Sequence, residues 1–205
     1  MSYVTVGIVD YGMGNHASVI HSLRELGFRV RVSVSAEAEV LDDTDVLVLP
    51  GVGAFSSAMQ ALHQRGLVGY LQQQAREHRP IIGICLGMQL LTSASCEHQY
   101  TAGLDLIPGE VIALTGAKWH IGWNTLECVE PDSLLQGSDW QAFYFNHSFC
   151  YQGPSEYQIA ISRNPEPIAS VIRRGNVVGI QFHPEKSQEA GRVLLKNLIS
   201  GLAHA

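Results

Sequence analysis

Short, nearly continuous apolar runs rich in β-branched residues alternate, through the first half of the chain, with segments whose apolar residues recur every three or four positions. The runs read as strands and the recurrences as helices that bury one face. Residues 4–9 form the first strand pattern and end at Asp10-Tyr11-Gly12-Met13-Gly14-Asn15. Val19, Ile20, Leu23 and Leu26 then keep helical spacing up to Gly27, a C-cap residue. Residues 28–34 and 45–49 read as the second and third strands. The unbroken apolar character of the third predicts cover on both faces, as in a parallel sheet flanked by helices. Pro50-Gly51-Val52-Gly53 follows it directly, and helical spacing returns over Phe55, Ala58 and Leu62, then over Leu67 and Leu71. Pro80 introduces another strand pattern that passes straight into a helix pattern at Cys85.

Beyond Gly103 the period changes to short alternating runs between turn residues: 109–114, 125–129, 157–162 and 168–173. Such runs predict an antiparallel extension of the sheet. Residues 176–182 form a last strand pattern leading into His183-Pro184-Glu185-Lys186-Ser187, where Ser187 is placed to cap a final helix carrying Ala190, Leu194 and Leu198. The whole pattern predicts an α/β fold of three layers: a flavodoxin-like, mostly parallel sheet with helices on both faces and an antiparallel extension in the C-terminal half. With no internal repeat, low-complexity stretch or linker, residues 1–205 read as one domain.

Composition narrows the function classes. A hydrophobic share of 46%, a charged share of 16% and a net charge of −6 describe a globular protein without the basic footprint of a nucleic-acid or anionic-membrane binder. Cys85, Cys96, Cys128 and Cys150 are spaced like neither a disulfide framework nor a zinc site. No secretory signal precedes the first strand, and the apolar run around residues 81–91 is too short to cross a bilayer, so a reducing cytoplasm is the expected compartment. Gly12 and Gly14 lack the third glycine of a dinucleotide-binding fingerprint.

Gly83-Ile84-Cys85-Leu86-Gly87 has the form of a nucleophile elbow, a strand-turn-helix corner with glycines on both sides of the reactive residue. The corner projects the sulfur at the end of a strand, and the first amides of the following helix favour a thiolate and a developing oxyanion. A buried, inert core cysteine is the alternative reading of the segment alone. The second half of the chemistry lies far downstream. His183 and Glu185 stand two apart beyond a strand, so that a carboxylate can orient the imidazole, and Pro184 keeps His183 extended. By itself that triplet also describes a surface turn; with the elbow it completes a Cys-His-Glu triad.

Five segments occur in a telling order: Asp10-Tyr11-Gly12-Met13-Gly14-Asn15, Leu49-Pro50-Gly51-Val52-Gly53-Ala54-Phe55, the elbow through Gln89, His120-Ile121-Gly122-Trp123-Asn124, and Gly179-Ile180-Gln181-Phe182-His183-Pro184-Glu185-Lys186-Ser187. Together they resemble the class I, triad-type glutamine amidotransferases, and within them the glutaminase subunits of imidazole glycerol phosphate synthases. The resemblance implies that Cys85 attacks the glutamine side-chain amide, His183 passes a proton to departing ammonia and Glu185 orients His183. It also implies an oxyanion hole at Val52, Gly53 and Leu86, and glutamine contacts from Gly51, Gln89, Glu97, His147 and Ser148, the last two through their backbone. The implied partner is a β/α-barrel cyclase subunit that receives the ammonia, met by Asn15, Trp123, Tyr144 and Lys186. No metal and no cofactor are implied.

Trp119 departs from the pattern, because the family usually has proline before its His-x-Gly-Trp-Asn segment. The departure touches the expected docking face and leaves open a paralogous glutaminase that feeds ammonia to another acceptor, such as a modified sugar. A catalytically silent regulatory protein of the same fold would lose the triad, which is intact here. A peptidase-like cysteine hydrolase would not need Gln89 or the Pro-Gly-Val-Gly loop.

Overall fold

The computed structural model describes residues 4–14, 16–34 and 39–204. In the first half, β1 (Thr5–Val9), α1 (His16–Glu25), β2 (Arg29–Ser33), α2 (Glu39–Asp42), β3 (Val46–Gly51), α3 (Phe55–Gln64), α4 (Leu67–Arg76), β4 (Ile81–Cys85) and α5 (Leu86–Leu90) follow one another. Gly27 does terminate α1: it takes a left-handed φ of 88°, and the amide of Phe28 donates back to the Leu23 carbonyl. The second half contains β5 (Thr92–Ser95), β6 (Thr101–Ala102), β7 (Ile107–Ala113), β8 (His120–Thr125), β9 (Glu127–Cys128), β10 (Ala142–His147), β11 (Phe149–Gln152), β12 (Gln158–Ser162), β13 (Ile168–Arg174), β14 (Val177–Ile180) and α6 (Gln188–Ala203).

The main sheet has the order β2-β1-β3-β4-β14-β13-β12-β9. Its first five strands are parallel, and β13, β12 and β9 extend it antiparallel. Strands β3, β4 and β14 are buried at every position because both sheet faces are covered. On one face Val19 and Leu23 of α1 and Leu194 and Leu198 of α6 pack on Val6, Val48, Ile82 and Ile180. On the other, Phe55, Leu62, Leu71 and Met88 pack on Leu47, Leu49 and Ile81. These are the three layers expected, and β14, last in sequence, takes the central place beside β4. The edge strand β2 exposes Arg29, Arg31 and Val32, and charge at an edge discourages pairing with other chains.

The antiparallel runs divide among three sheets. Residues 157–162 and 168–173 extend the main sheet as expected, and of 125–129 only Glu127–Cys128 pairs with it. The run 109–114 instead lies in a separate four-stranded sheet, β11-β7-β5-β6. A third unit, the antiparallel ribbon β8–β10, pairs Trp123 with Tyr144 and His120 with His147. Its inner face buries His120, Phe143, Phe145 and His147, while Ile121 and Trp123 stand outside.

Candidate active site

Cys85 ends β4 at a backbone φ of 55° and ψ of −110°, an unusual conformation for a residue with a side chain. The flanking glycines therefore act through space, while the unusual angle falls on the cysteine itself. A Cβ on Gly87 would overlap the Leu49 carbonyl, and one on Gly83 would lie 2.5 Å from the Gly87 carbonyl oxygen. The helix that follows is only five residues long, so its contribution at the sulfur comes from its first amides rather than from an extended dipole.

Parallel pairing of β14 with β4 sets Ile180 beside Ile84 and carries the chain to His183 at the same carboxyl end of the sheet. His183 is extended at φ −102° and ψ 93°, and Pro184–Lys186 turn as a short 3₁₀ helix. That turn, rather than strand alternation, brings Glu185 back under the ring. Glu185 Oε1 lies 2.8 Å from His183 Nδ1, with both side chains almost fully buried. A carboxylate can only accept, so Nδ1 carries the proton and Nε2 is left for Cys85. Burial alone would lower the His183 pKa, but the hydrogen bonds to Cys85 and Glu185 and the charges on both prevail and raise it to about 9. The imidazole is therefore protonated at neutral pH and holds the proton that a leaving amine needs.

Ser187 occupies the N-cap position of α6 but makes no capping bond with its side chain. Its hydroxyl donates to the His183 carbonyl at 2.6 Å and accepts from the Tyr144 amide at 3.0 Å. The His183 amide donates to the Tyr144 carbonyl at 2.8 Å. Ser187 thus ties the histidine segment to β10, a role with no local sequence signal.

A cavity of about 250 Å³ opens over the sulfur. Cys85, His183, Val52, Gly53, Leu86, Gln89, Glu97, His147, Ser148 and Lys186 all line it, together with Asn146 and Phe149, which sequence reasoning did not single out. Gly51 is not on its wall; it pairs in register with Cys85 and packs so closely on Tyr11 that a Cβ would strike the phenol oxygen. A larger cavity of about 480 Å³ sits at the opposite end of β4 and β14 near Arg76, His78 and Arg174, with no cysteine on its wall.

Glu97 reaches the cavity while accepting a 2.6 Å hydrogen bond from the Phe55 amide at the start of α3. Gln89 donates to the Phe149 carbonyl at 3.1 Å and to Gln181 Oε1 at 3.2 Å, which commits both amide protons to the protein. Both nitrogens of His147 are also occupied, Nδ1 by the Phe149 carbonyl and Nε2 by His120 Nδ1, each at 2.9 Å. Burial is the main cause that lowers the His147 pKa to about 4, so the ring is neutral. A ligand can meet this residue only through its backbone or its ring carbons.

Trp123 is 51% exposed and is no core residue; its ring meets Tyr144 edge-on at 6.1 Å. Lys186 Nζ lies 5.9 Å from the centre of the Tyr144 ring. Trp119 is also exposed, with Lys118 Nζ 5.5 Å from its ring centre. Asn15 lies outside the described residues.

A cysteine at a strained strand-helix corner, a protonated histidine and a buried carboxylate at one end of a doubly covered sheet make up the machinery of acyl transfer from an amide. The chain belongs to the class I glutamine amidotransferases, the family described as glutamine amidotransferase class-I, which it matches over residues 7–200. Within that family it is similar to proteins named imidazole glycerol phosphate synthase subunit HisH. The one from Carboxydothermus hydrogenoformans is 44% identical over 194 residues, covering 93% of this chain and 96% of the relative. That from Lacticaseibacillus casei is 45% identical over 193 residues and 92% of both chains. Among solved structures, PurLQS from Thermotoga maritima matches with a TM-score of 0.77 over 98% of this chain and all of that one, at 19% identity. A glutamine amidotransferase from the same organism gives 0.72 over the full length of both chains, at 15% identity. Likenesses at such identities show a common fold.

Proposed function

We propose that this chain, as a single amidotransferase domain over residues 1–205, is the glutaminase subunit of an imidazole glycerol phosphate synthase in histidine biosynthesis, working in the cytoplasm beside a β/α-barrel cyclase subunit. The observation that carries this reading is the convergence of Cys85, His183 and Glu185 on a cavity that also presents Glu97, Lys186 and Gln89. One carboxylate and one ammonium suit the two charges of a free amino acid, and the cavity is smaller than the roughly 300–1,000 Å³ of common drug-sized sites.

The Cys85 thiolate attacks the side-chain carbonyl carbon of glutamine, and the Leu86 amide with amides from Val52 and Gly53 holds the oxyanion. His183, oriented by Glu185, gives its proton to the departing nitrogen, which leaves as ammonia. The thioester is then attacked by water, with His183 as the base, and glutamate is released while the thiolate is restored. Ammonia passes to the barrel, which docks on the face carrying Trp123, Tyr144 and Lys186.

Replacing Cys85→Ala in the assembled pair should remove glutamine-dependent synthesis and leave synthesis from ammonium salts intact. Loss of both, or survival of the first, contradicts the assignment. A glutaminase assay of the chain alone and with a cyclase and its ribonucleotide ligand completes the test, since full activity of the isolated chain would argue against a coupled subunit.

A further inference from the structure

The inner face of the β8–β10 ribbon carries a hydrogen-bond chain that the triad chemistry leaves unused. Asn124 donates through Nδ2 to the Asn164 carbonyl at 2.5 Å and to His120 Nε2 at 3.0 Å. His120 Nδ1 meets His147 Nε2 at 2.9 Å, and His147 Nδ1 meets the Phe149 carbonyl at 2.9 Å. Both ends of this chain have forced roles, because an amide nitrogen can only donate and a carbonyl oxygen can only accept. His120 Nε2 must therefore accept, so its proton sits on Nδ1 and is donated to His147 Nε2. His147 in turn must carry its proton on Nδ1. One arrangement satisfies every contact, with both rings neutral and both protonated at Nδ1. An extra proton on His147 would set two donors face to face.

The surroundings hold the rings in place. His120 stacks on Phe145 with centroids 4.4 Å apart, and both histidines are largely buried. The chain ends on the carbonyl that also receives Gln89, and Gln89 continues to Gln181, whose Nε2 lies 4.0 Å from Cys85 Sγ. Its other end sits one residue from Trp123, on the strand whose outer face is exposed.

We propose that Asn124, His120 and His147 are positioning residues for the glutaminase reaction: a neutral, one-way relay that fixes the 147–149 rim of the cavity, and through Gln89 the elbow, relative to the exposed docking strand. The inference rests on the assignment of the cavity to glutamine. A rim out of place by a fraction of an ångström degrades substrate alignment without touching the triad.

Two measurements test it. Nitrogen chemical shifts of the imidazoles in the uniformly labelled wild-type chain at neutral pH should show both His120 and His147 as the Nδ1-protonated form; an Nε2-protonated or cationic ring at either position overturns the relay. In the complex with the cyclase, His120→Phe keeps a ring on Phe145 and breaks the chain, whereas His120→Gln offers one acceptor and one donor in its place. The Phe variant should raise KM for glutamine on the order of tenfold, with ammonia-dependent synthesis unchanged, while the Gln variant stays within about twofold of wild type. Equal behaviour of the two variants, with both folded by circular dichroism, sinks the proposal. Should Cys85→Ala retain glutamine-dependent synthesis, the assignment of the cavity fails instead, and the ring tautomers still decide the relay separately.

Discussion

The strands that deliver Cys85 and His183 are buried on both faces, whereas the β8–β10 ribbon buries one face and exposes Ile121 and Trp123 on the other. The first arrangement clamps every backbone atom between two helix layers, so the elbow keeps an unusual backbone angle at Cys85 that an exposed corner would relax. The second leaves one surface for a partner while its buried side meets the substrate cavity through His147. Rigid support for chemistry and an open face for docking thus come from different strand environments, joined where His183 and Ser187 bond to Tyr144.

The largest effect should come from breaking the clamped region. Gly87→Ala would drive a methyl group into the Leu49 carbonyl, where backbone atoms cannot yield, so a loss of about 3 kcal/mol or more in chemical denaturation is expected, with glutaminase activity lost. A near-neutral result would mean that the corner is looser than its geometry. Next comes the open face. Trp123→Ala should leave the stability of the isolated chain almost unchanged, since the residue is about half exposed, but weaken association with the cyclase by about 2 kcal/mol in a titration. If the isolated chain unfolds instead, the ribbon is held by that ring and the contrast fails.

The smallest effects are those of pH, and they sharpen the comparison because the two regions respond with opposite sign. His183 has a folded pKa raised to about 9, so its contribution to stability is complete below the ordinary value near 6.5 and fades as pH rises through 9. His147 has a folded pKa lowered to about 4, so its neutral ring contributes fully above about 6.5, and that contribution is lost as pH falls toward 4. Denaturation midpoints of the chain across this range should decline on both sides. His183→Gln should remove the alkaline decline and leave the acid one; an unchanged alkaline decline would show that the imidazolium contributes nothing there.

Local pattern made the parallel core legible: β3 and β4 are continuous apolar runs, and the helices between them keep a clear period. The elbow was legible as a strand-helix corner, and His183-Pro184-Glu185 downstream decided between a nucleophile and a buried core cysteine there. Amphipathic period, turn residues and motif spacing are encoded within a few neighbours, and those features the amino-acid sequence determined by itself. Strand partnership is not encoded that way. Residues 109–114 alternate as an extension of the main sheet would, yet β7 pairs with β5 and β11, because which edge a half-buried strand joins depends on surfaces built by distant segments. Ser187 has the residue type and place of a cap but turns to His183 and Tyr144, whose backbone groups are buried and need partners more than a helix end open to water. That His120 and His147 bond to each other has no signal along the chain, and they meet only through the ribbon's register. The tertiary structure alone decided those pairings, because a hydrogen bond between remote residues forms where packing brings donor and acceptor together, and no local period records where that is.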